Sequence, residues 1–219
     1  MKKQKKRLSR KKRALWNCGW LAVILILASV FQIYRFTPGQ AIRAMAERQD
    51  VENPKVIHSF YDGSLPVTRF AVHHLVQGDD SLMLCATGWH LLTGWYDRAW
   101  ATKETWDGTG VYGGVFGHKQ DEKRMTYFFG RVDAASVESL TLEVEFAYWN
   151  EETGEELLRY MRYGFGPEDF FEENGSLYFC KKLQTEEDWD WFNMPTVTCV
   201  TGDGRTLMAK DVGWRSWST

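Results

Sequence analysis

Proline and cysteine are scarce in this chain, with 5 Pro and 4 Cys among 219 residues. The 19 Gly follow no three-residue period, and 44% of the residues are hydrophobic. These figures exclude a collagen-like chain, a coiled-coil array and a mainly disordered chain. We find no internal repeat and no low-complexity linker. The length suits one ordinary domain, or two small ones, so we expect a folded globular body.

Acidic residues are missing from the first 35 positions, where basic residues are concentrated. Nine of the first thirteen residues are Lys or Arg, and Arg35 is the tenth. Residues 36–219 carry 17 Lys and Arg against all 29 Asp and Glu, a net charge of −12. An acidic body disfavours a broad nucleic-acid-binding face, so we expect no nucleic-acid partner.

One long uncharged run follows the basic tail. Residues 14–34, ALWNCGWLAVILILASVFQIY, contain 21 residues, and a helix needs about 20 to cross a bilayer. We predict a single-pass transmembrane helix here, with the lipid bilayer as its partner. The excess of positive charge in residues 1–13 places the N-terminus in the cytoplasm and the body outside it, in a cell-membrane protein. A cleaved signal peptide is the alternative, but its apolar core is usually only about 7–15 residues long.

The region after this run predicts a short helix and then strands. Residues 35–54 form a juxtamembrane segment in which Thr37 caps, and Pro38 begins, a helix of about three turns. From residue 55 the apolar pattern alternates with a period of two, most clearly in SLTLEVEFAYW at 139–149. We predict a mostly β extracytoplasmic domain over 55–219, an antiparallel sandwich or curved sheet of about 8–10 strands. A subdivision near 133–137 is the alternative to one compact domain.

Three segments carry a resemblance at the level of the whole chain. These are TPGQAIRA after the apolar run, YFFGRVDAASVESLTLEVEF in the middle, and VTGDGRTL near the end. In this order the chain resembles single-pass, membrane-anchored extracytoplasmic proteins of Gram-positive bacteria. The resemblance implies an envelope location and supplies no catalytic residues.

Tryptophan is the most informative residue type for function, with 11 in the chain. Four of them fall in an 18-residue stretch: Trp89, Trp95, Trp100 and Trp106. Exposed Trp rings bind sugars and peptides because each ring provides a large contact area at little entropic cost. The alternative is that these rings fill the core of a small β domain. We take the four as candidate binding residues.

The motifs that would support other chemistries are weak. Gly108, Gly110, Gly113 and Gly114 match a nucleotide-binding loop formally, but their flanks predict aromatic strands rather than a helix. The five histidines lack a zinc-protease motif, so we expect no metal site and no cofactor; His74 is interpreted as a core histidine. Cys180 and Cys199 are the candidate disulfide, on strands expected to be neighbours, and Cys85 is expected to be buried.

We therefore expect a membrane-anchored protein that is not an enzyme and that binds an envelope glycan or a partner protein. The first alternative is a hydrolase of cell-wall glycan or peptide, using Asp, Glu or His from facing strands. The second is a membrane sensor or regulator that couples the outer domain to the basic tail. An enzyme requires a cleft with perturbed titratable groups, whereas a binder requires exposed aromatic rings in one patch.

Overall fold

The computed structural model describes residues 10–31, 33–61, 72–104, 110–120, 123–150, 152–183, 190–191, 195–209 and 216–218. These residues form two α-helices, a 3₁₀ turn at Pro167–Asp169 and fourteen strands, against about 8–10 strands counted from the sequence. All strand pairs are antiparallel, which confirms the mostly β fold with an N-terminal apolar helix.

The first helix, α1, is long and apolar enough to span a membrane. It covers Arg10–Val30, whereas the transmembrane helix predicted from the sequence covers residues 14–34. The four basic residues before Ala14, about one helical turn, join the helix, since Lys and Arg are good helix formers. At the other end the chain leaves the helix because Arg35 pairs in parallel with Gly94, in the body of the protein. The side chains at 10–27 are all exposed.

The second helix, α2, covers Pro38–Arg48, as the sequence predicts. Thr37 is its N-cap residue, and Pro38 occupies the first turn, where its missing N–H costs nothing. Ala41, Ile42, Ala44, Met45 and Ala46 form its buried face. This face packs on Val76, Met83 and Cys85 of the first sheet. The helix therefore covers one side of that sheet.

Three sheets make up the β region. Sheet A has the order β1-β2-β3-β4-β14, sheet B the order β5-β6-β10-β9, and sheet C the order β11-β7-β12-β13 with β8 paired to β7. The strands of sheet A are Lys55–Tyr61 (β1), Val72–Gln77 (β2), Ser81–His90 (β3), Gly94–Glu104 (β4) and Ser216–Ser218 (β14). Those of sheet B are Val111–Gln120 (β5), Lys123–Val132 (β6), Phe170–Glu173 (β9) and Ser176–Leu183 (β10). Those of sheet C are Val137–Asn150 (β7), Glu155–Phe165 (β8), Asp190–Trp191 (β11), Thr196–Thr201 (β12) and Thr206–Ala209 (β13).

Sheet B is the central layer of the protein. One of its faces meets sheet A through a cluster that includes Leu84, Phe116 and Tyr127. Its other face meets sheet C through a cluster that includes Phe128 and Leu142. The layers thus run from α2 through sheets A and B to sheet C. Adjacent residues of β6 face opposite layers, which explains why its sequence TYFFG lacks polar alternation.

Strand β7 shows the predicted alternation over residues 140–146, but Ala147, which the sequence pattern predicts on the solvent face, is buried. Over 140–146 the buried side chains are Leu140, Leu142, Val144 and Phe146. The intervening Glu143 is only half-buried. The residues at 133–137 connect β6 of sheet B to β7 of sheet C. Because β9 and β10 return to sheet B after this point, a division there would cut through one sheet.

The glycine-rich segment lies in a strand and not at the start of a helix. Gly113 and Gly114 belong to β5, where they pair with Gly130 and Phe129 of β6. A Cβ on Gly113 would lie 2.9 Å from the Phe128 ring. Close packing therefore accounts for glycine at position 113, and Gly113 and Gly114 lie within a continuously paired strand rather than in a bend between strands. Gly108 lies outside the described residues.

Candidate functional site

Two of the four candidate tryptophans face each other across the β3–β4 hairpin. Trp89 pairs with Trp95, and 41% of the Trp89 side chain is exposed, whereas Trp95 is half-buried. Trp100 lies further along β4, opposite Cys85, but its side chain is outside the described residues, as is all of Trp106. The structure thus brings two of the predicted residues together, at the end of the hairpin.

The tip of this hairpin is strongly apolar and exposed. Leu91 and Leu92 occupy the turn and are 70% and 77% exposed. Phe31 and Ile33, in the segment that leads from α1 to Arg35, are also exposed. We call these side chains, together with Trp89, the apolar tip. Exposed apolar groups gathered in one place mark a contact with lipid or with another protein.

Backbone hydrogen bonds join the hairpin to the chain that leaves α1. The N–H of Arg35 donates to the Thr93 carbonyl at 3.2 Å, and the N–H of Trp95 donates to the Arg35 carbonyl at 2.8 Å. Gly94 lies between them with φ of +72°. A Cβ at Gly94 would overlap the Arg35 carbonyl oxygen and would come within 2.9 Å of the Tyr34 ring. Glycine is therefore required twice over, by its backbone conformation and by this close approach.

The carboxylate of Asp97, just beyond the turn, holds the segment after α1 and the end of α2 next to the hairpin. Asp97 accepts a hydrogen bond from Arg35 at 2.8 Å and another from Arg48, at the end of α2. Burial alone would raise the pKa of Asp97, but the two arginines outweigh burial and hold this pKa below its usual value. Asp97 is therefore ionised at neutral pH and serves as a structural counter-ion.

Gln40 connects the two helices directly. Its side-chain carbonyl accepts from the N–H of Phe36 at 2.7 Å, and its amide donates to the Ser29 hydroxyl at 2.9 Å. The end of α1 is thus joined to the start of α2 by a side-chain bond and to the hairpin by backbone bonds. These contacts hold the end of α1 next to the β domain.

His74 forms a hydrogen-bonded chain on the α2 side of sheet A. Its Nδ1 lies 2.8 Å from the Ser59 hydroxyl, and its Nε2 lies 2.9 Å from the Thr87 hydroxyl. Burial lowers the pKa of His74 to about 4, so the ring is neutral at pH 7. A Ser–His contact resembles part of a hydrolase triad, but a base with this pKa and a hydroxyl as third member is poorly suited to activate a nucleophile. The interpretation of His74 as a core histidine is consistent with this burial and bonding.

The other described histidines do not gather into a ligand set. His73 is buried on the opposite face of β2, stacked on Phe60 at 5.1 Å and close to Tyr127. Among the residues that the structure describes, no group of three or more His, Cys, Asp or Glu side chains is placed to hold a metal ion. The side chain of His118 is outside that set.

The cysteines are thiols in the structure. Cys180 on β10 belongs to sheet B and Cys199 on β12 to sheet C, so the expectation that they lie on neighbouring strands is wrong and no disulfide joins them. They pack in different hydrophobic clusters. Burial raises the pKa of Cys199 to about 11 and raises those of Cys85 and Cys180 further. Cys85 is buried, as predicted. These thiols are therefore protonated and unreactive at neutral pH.

A second apolar surface lies on the β7–β8 hairpin. Trp149, Leu158 and Tyr160 are exposed and lie on the same face by strand register. The sequence did not single out these residues. Nor did it single out Arg35, Gly94 and Asp97, although Leu-Leu-Thr-Gly between Trp89 and Trp95 is a turn signal that predicts the hairpin.

No family model, curated protein or solved structure matches this chain. The candidate site therefore has to be interpreted from its own geometry. That geometry is an exposed aromatic and aliphatic hairpin tip, joined to the end of an apolar helix and backed by an ion-paired carboxylate.

Proposed function

We propose that this is a single-pass membrane protein whose β domain lies outside the cytoplasm and binds an envelope component or partner protein without catalysing a reaction. The apolar tip is the proposed binding surface. The observation that carries the proposal is the exposure of Trp89, Leu91 and Leu92 at one rigid hairpin next to the end of α1. Rigid aromatic and aliphatic groups on a turn suit recognition, since little entropy is lost on binding.

Anchoring in the membrane is supported by the exposed apolar surface of α1. Its apolar side chains, including Leu15, Ile24 and Ile26, lie exposed on the surface of the protein. An exposed apolar helix of this length is stable in lipid, where its backbone bonds are all satisfied internally. The basic residues 1–13 favour the cytoplasmic side for the N-terminus. The envelope location follows the same orientation and agrees with the resemblance to membrane-anchored Gram-positive proteins.

A noncatalytic role is supported by how the reactive groups near the hairpin are used. Asp97 is paired with two arginines, His74 is neutral and buried between two hydroxyls, and Cys85 is a buried thiol. Each of these groups has a structural partner or environment that lowers its reactivity. An acid–base pair poised for hydrolysis would have the opposite character.

Topology is tested by adding protease to intact cells that express the full-length chain with a C-terminal tag. We expect the β domain to be cut in intact cells, because it lies outside. If it is cut only after the cells are permeabilised, the proposed orientation is wrong.

Binding is tested by purifying the tagged full-length protein in a mild detergent and identifying bound lipids, glycans and proteins by mass spectrometry. Trp89→Ser should lose the bound component, whereas the matched change Trp149→Ser, at the other hairpin, should retain it. Equal recovery with both variants would rule out the apolar tip as the binding surface.

A further inference from the structure

The position of the apolar tip relative to the membrane can be estimated from the length of α1. The basic residues of the helix end at Arg13, and the 17 residues from Ala14 to Val30 rise by about 25 Å. A bilayer has a hydrocarbon core about 30 Å thick. The outer boundary of that core therefore lies about 5 Å beyond Val30, and any tilt of the helix places it further beyond.

The groups found just beyond Val30 are those of the apolar tip. Phe31 and Ile33 follow the helix directly, and the turn of the β3–β4 hairpin is bonded to Arg35 by backbone hydrogen bonds of 3.2 and 2.8 Å. The turn therefore lies at the same depth as residues 33–35. Its two leucines are more than two-thirds exposed.

From this depth we infer that the β3–β4 hairpin is a second membrane contact, with Leu91 and Leu92 inserted among the lipids at the outer boundary of the bilayer and Trp89 in the headgroup region. The inference rests on the proposed membrane anchoring by α1, and it names lipid as the partner of the apolar tip. Trp is the side chain that prefers this interface, since its ring is apolar and its N–H is polar.

The backbone of the turn is suited to this environment. Polar backbone groups are costly in lipid unless they are bonded within the protein. The Leu92 N–H donates to Nδ1 of His90 at 3.3 Å, the Thr93 carbonyl accepts from Arg35, and the Trp95 N–H donates to the Arg35 carbonyl. Asp97, whose charge would be costly at the edge of the hydrocarbon core, is paired with Arg35 and Arg48. The tip therefore presents side-chain hydrocarbon next to three backbone groups that are bonded within the protein.

The consequence is a fixed orientation of the β domain. One transmembrane helix leaves a domain free to rotate and tilt on its linker, whereas two contacts joined by Arg35 and Gly94 restrict it. Sheet A would then stand with the β3–β4 turn against the membrane. The opposite end of the sheet, where Val56 lies opposite Val76 and Val76 opposite Met83, is about 23 Å further along the strands from His90.

The test uses the full-length protein in vesicles of phosphatidylcholine and phosphatidylglycerol, with one environment-sensitive fluorophore at a time. The label is placed on native Cys18 within α1, on Leu92→Cys at the tip, or on Val56→Cys at the far end of sheet A. Cys18 is replaced by Ser in the last two. Leu92 and Val56 are both exposed, at 77% and 41%, so either label should be tolerated, and an unchanged thermal midpoint checks folding.

Lipids that carry a nitroxide at a shallow or a deep acyl position supply the readout. We expect deep lipids to quench the label at position 18, shallow lipids to quench the label at 92 at least threefold more than the label at 56, and a blue-shifted emission at 92 only in vesicles. Quenching at 18 without quenching at 92 overturns the inference and leaves the anchor intact. No quenching at 18 overturns the proposed anchor together with the inference. Equal quenching at 92 and 56 overturns the role of the tip.

Discussion

Two hairpins of this protein expose similar side chains in different settings. The β3–β4 hairpin presents Trp89 and two leucines, and the β7–β8 hairpin presents Trp149, Leu158 and Tyr160. Each also contains a carboxylate paired with arginine. In the first hairpin the partners of the carboxylate come from 62 and 49 residues away, whereas in the second Glu143 pairs with Arg162 across the hairpin itself.

The difference shows that the surroundings of a hairpin decide what its exposed groups can do. The β3–β4 hairpin is bonded to the segment after α1 and covered on one face by α2, so its position is fixed. The β7–β8 hairpin is stabilised by its own strand pairing and by sheet C. The same residue types therefore stabilise an interdomain junction in one case and only a local pair in the other.

The largest predicted difference concerns the two glycines in the hairpin turns. Gly94 and Gly154 both have positive φ, of +72° and +65°, but a Cβ would overlap Arg35 at the first and would meet nothing within 4 Å at the second. Gly154→Ala should cost about 1.5 kcal/mol of unfolding free energy from backbone strain alone. Gly94→Ala should cost about 4 kcal/mol, because the overlap adds to the strain.

Chemical denaturation of the purified full-length protein measures both glycine variants. Equal costs for the two would show that the contact between Arg35 and the hairpin contributes little to stability.

A fall in pH should destabilise sheet A and leave the β7–β8 hairpin protected from hydrogen exchange. The pKa of His74 is about 4 in the folded protein and 6.5 in an unfolded chain, so the unfolded state binds the proton more tightly. The stabilisation is complete above pH 6.5 and is lost as the pH falls from 6.5 to 4, by about 3 kcal/mol in total.

Hydrogen exchange at pH 7 and pH 4.5 compares the amides of β2 and β3 with those of β7 and β8. At pH 4.5 the amides of β2 and β3 should be less protected, relative to those of β7 and β8, than at pH 7. His74→Gln should remove this loss of protection. An unchanged pH response in His74→Gln would assign the effect to another group.

Loss of the ion pairs at the β3–β4 hairpin should also destabilise the protein more than loss of the ion pair at the β7–β8 hairpin. Asp97→Asn removes the charge that neutralises Arg35 and Arg48, and the side chains of Arg35 and Asp97 are each only 20% exposed. We expect a loss of about 2 kcal/mol, since charged hydrogen bonds in half-buried positions are strong and their loss leaves a cation unpaired. Denaturation midpoints of Asp97→Asn and the parent protein provide the measurement, and a loss below about 0.5 kcal/mol would contradict the junction role.

The smallest effect is expected at the β7–β8 hairpin. Glu143→Gln removes the partner of Arg162, whose side chain is 69% exposed. Exposed pairs of this kind contribute about 0.5 kcal/mol or less, and salt screens them. The same denaturation measurement at low and high salt checks this, and a loss as large as that of Asp97→Asn would remove the distinction between the two hairpins.

Most of the elements could be predicted from local patterns. β1 at Lys55–Tyr61 and α2 at Pro38–Arg48 agree with the sequence to within a few residues, because alternation and capping are local properties. The exceptions are the ends of α1 and the strands β4, β5, β9, β11 and β14. The end of α1 depends on the backbone bonds of Arg35 to Thr93 and Trp95, which no local pattern contains.

The candidate site was predicted only in part. Trp89, one of the four candidate binding residues, is 41% exposed, and its binding role stays a prediction. Asp97 could not be found, because its partners Arg35 and Arg48 approach only when α2 packs on sheet A. The proposed pairing of Cys180 with Cys199 failed for a similar reason, since strand order across three sheets is not encoded by spacing.

The sequence by itself determined an apolar helix after a basic tail, a short capped helix and a series of antiparallel strands, because each depends on residues that are close in the chain. Only the tertiary structure decided that sheet B lies between sheets A and C and that the β3–β4 hairpin meets the end of α1. Those arrangements come from the burial of side chains between layers and from bonds such as that between Arg35 and Thr93, whose partners are 58 residues apart in the chain.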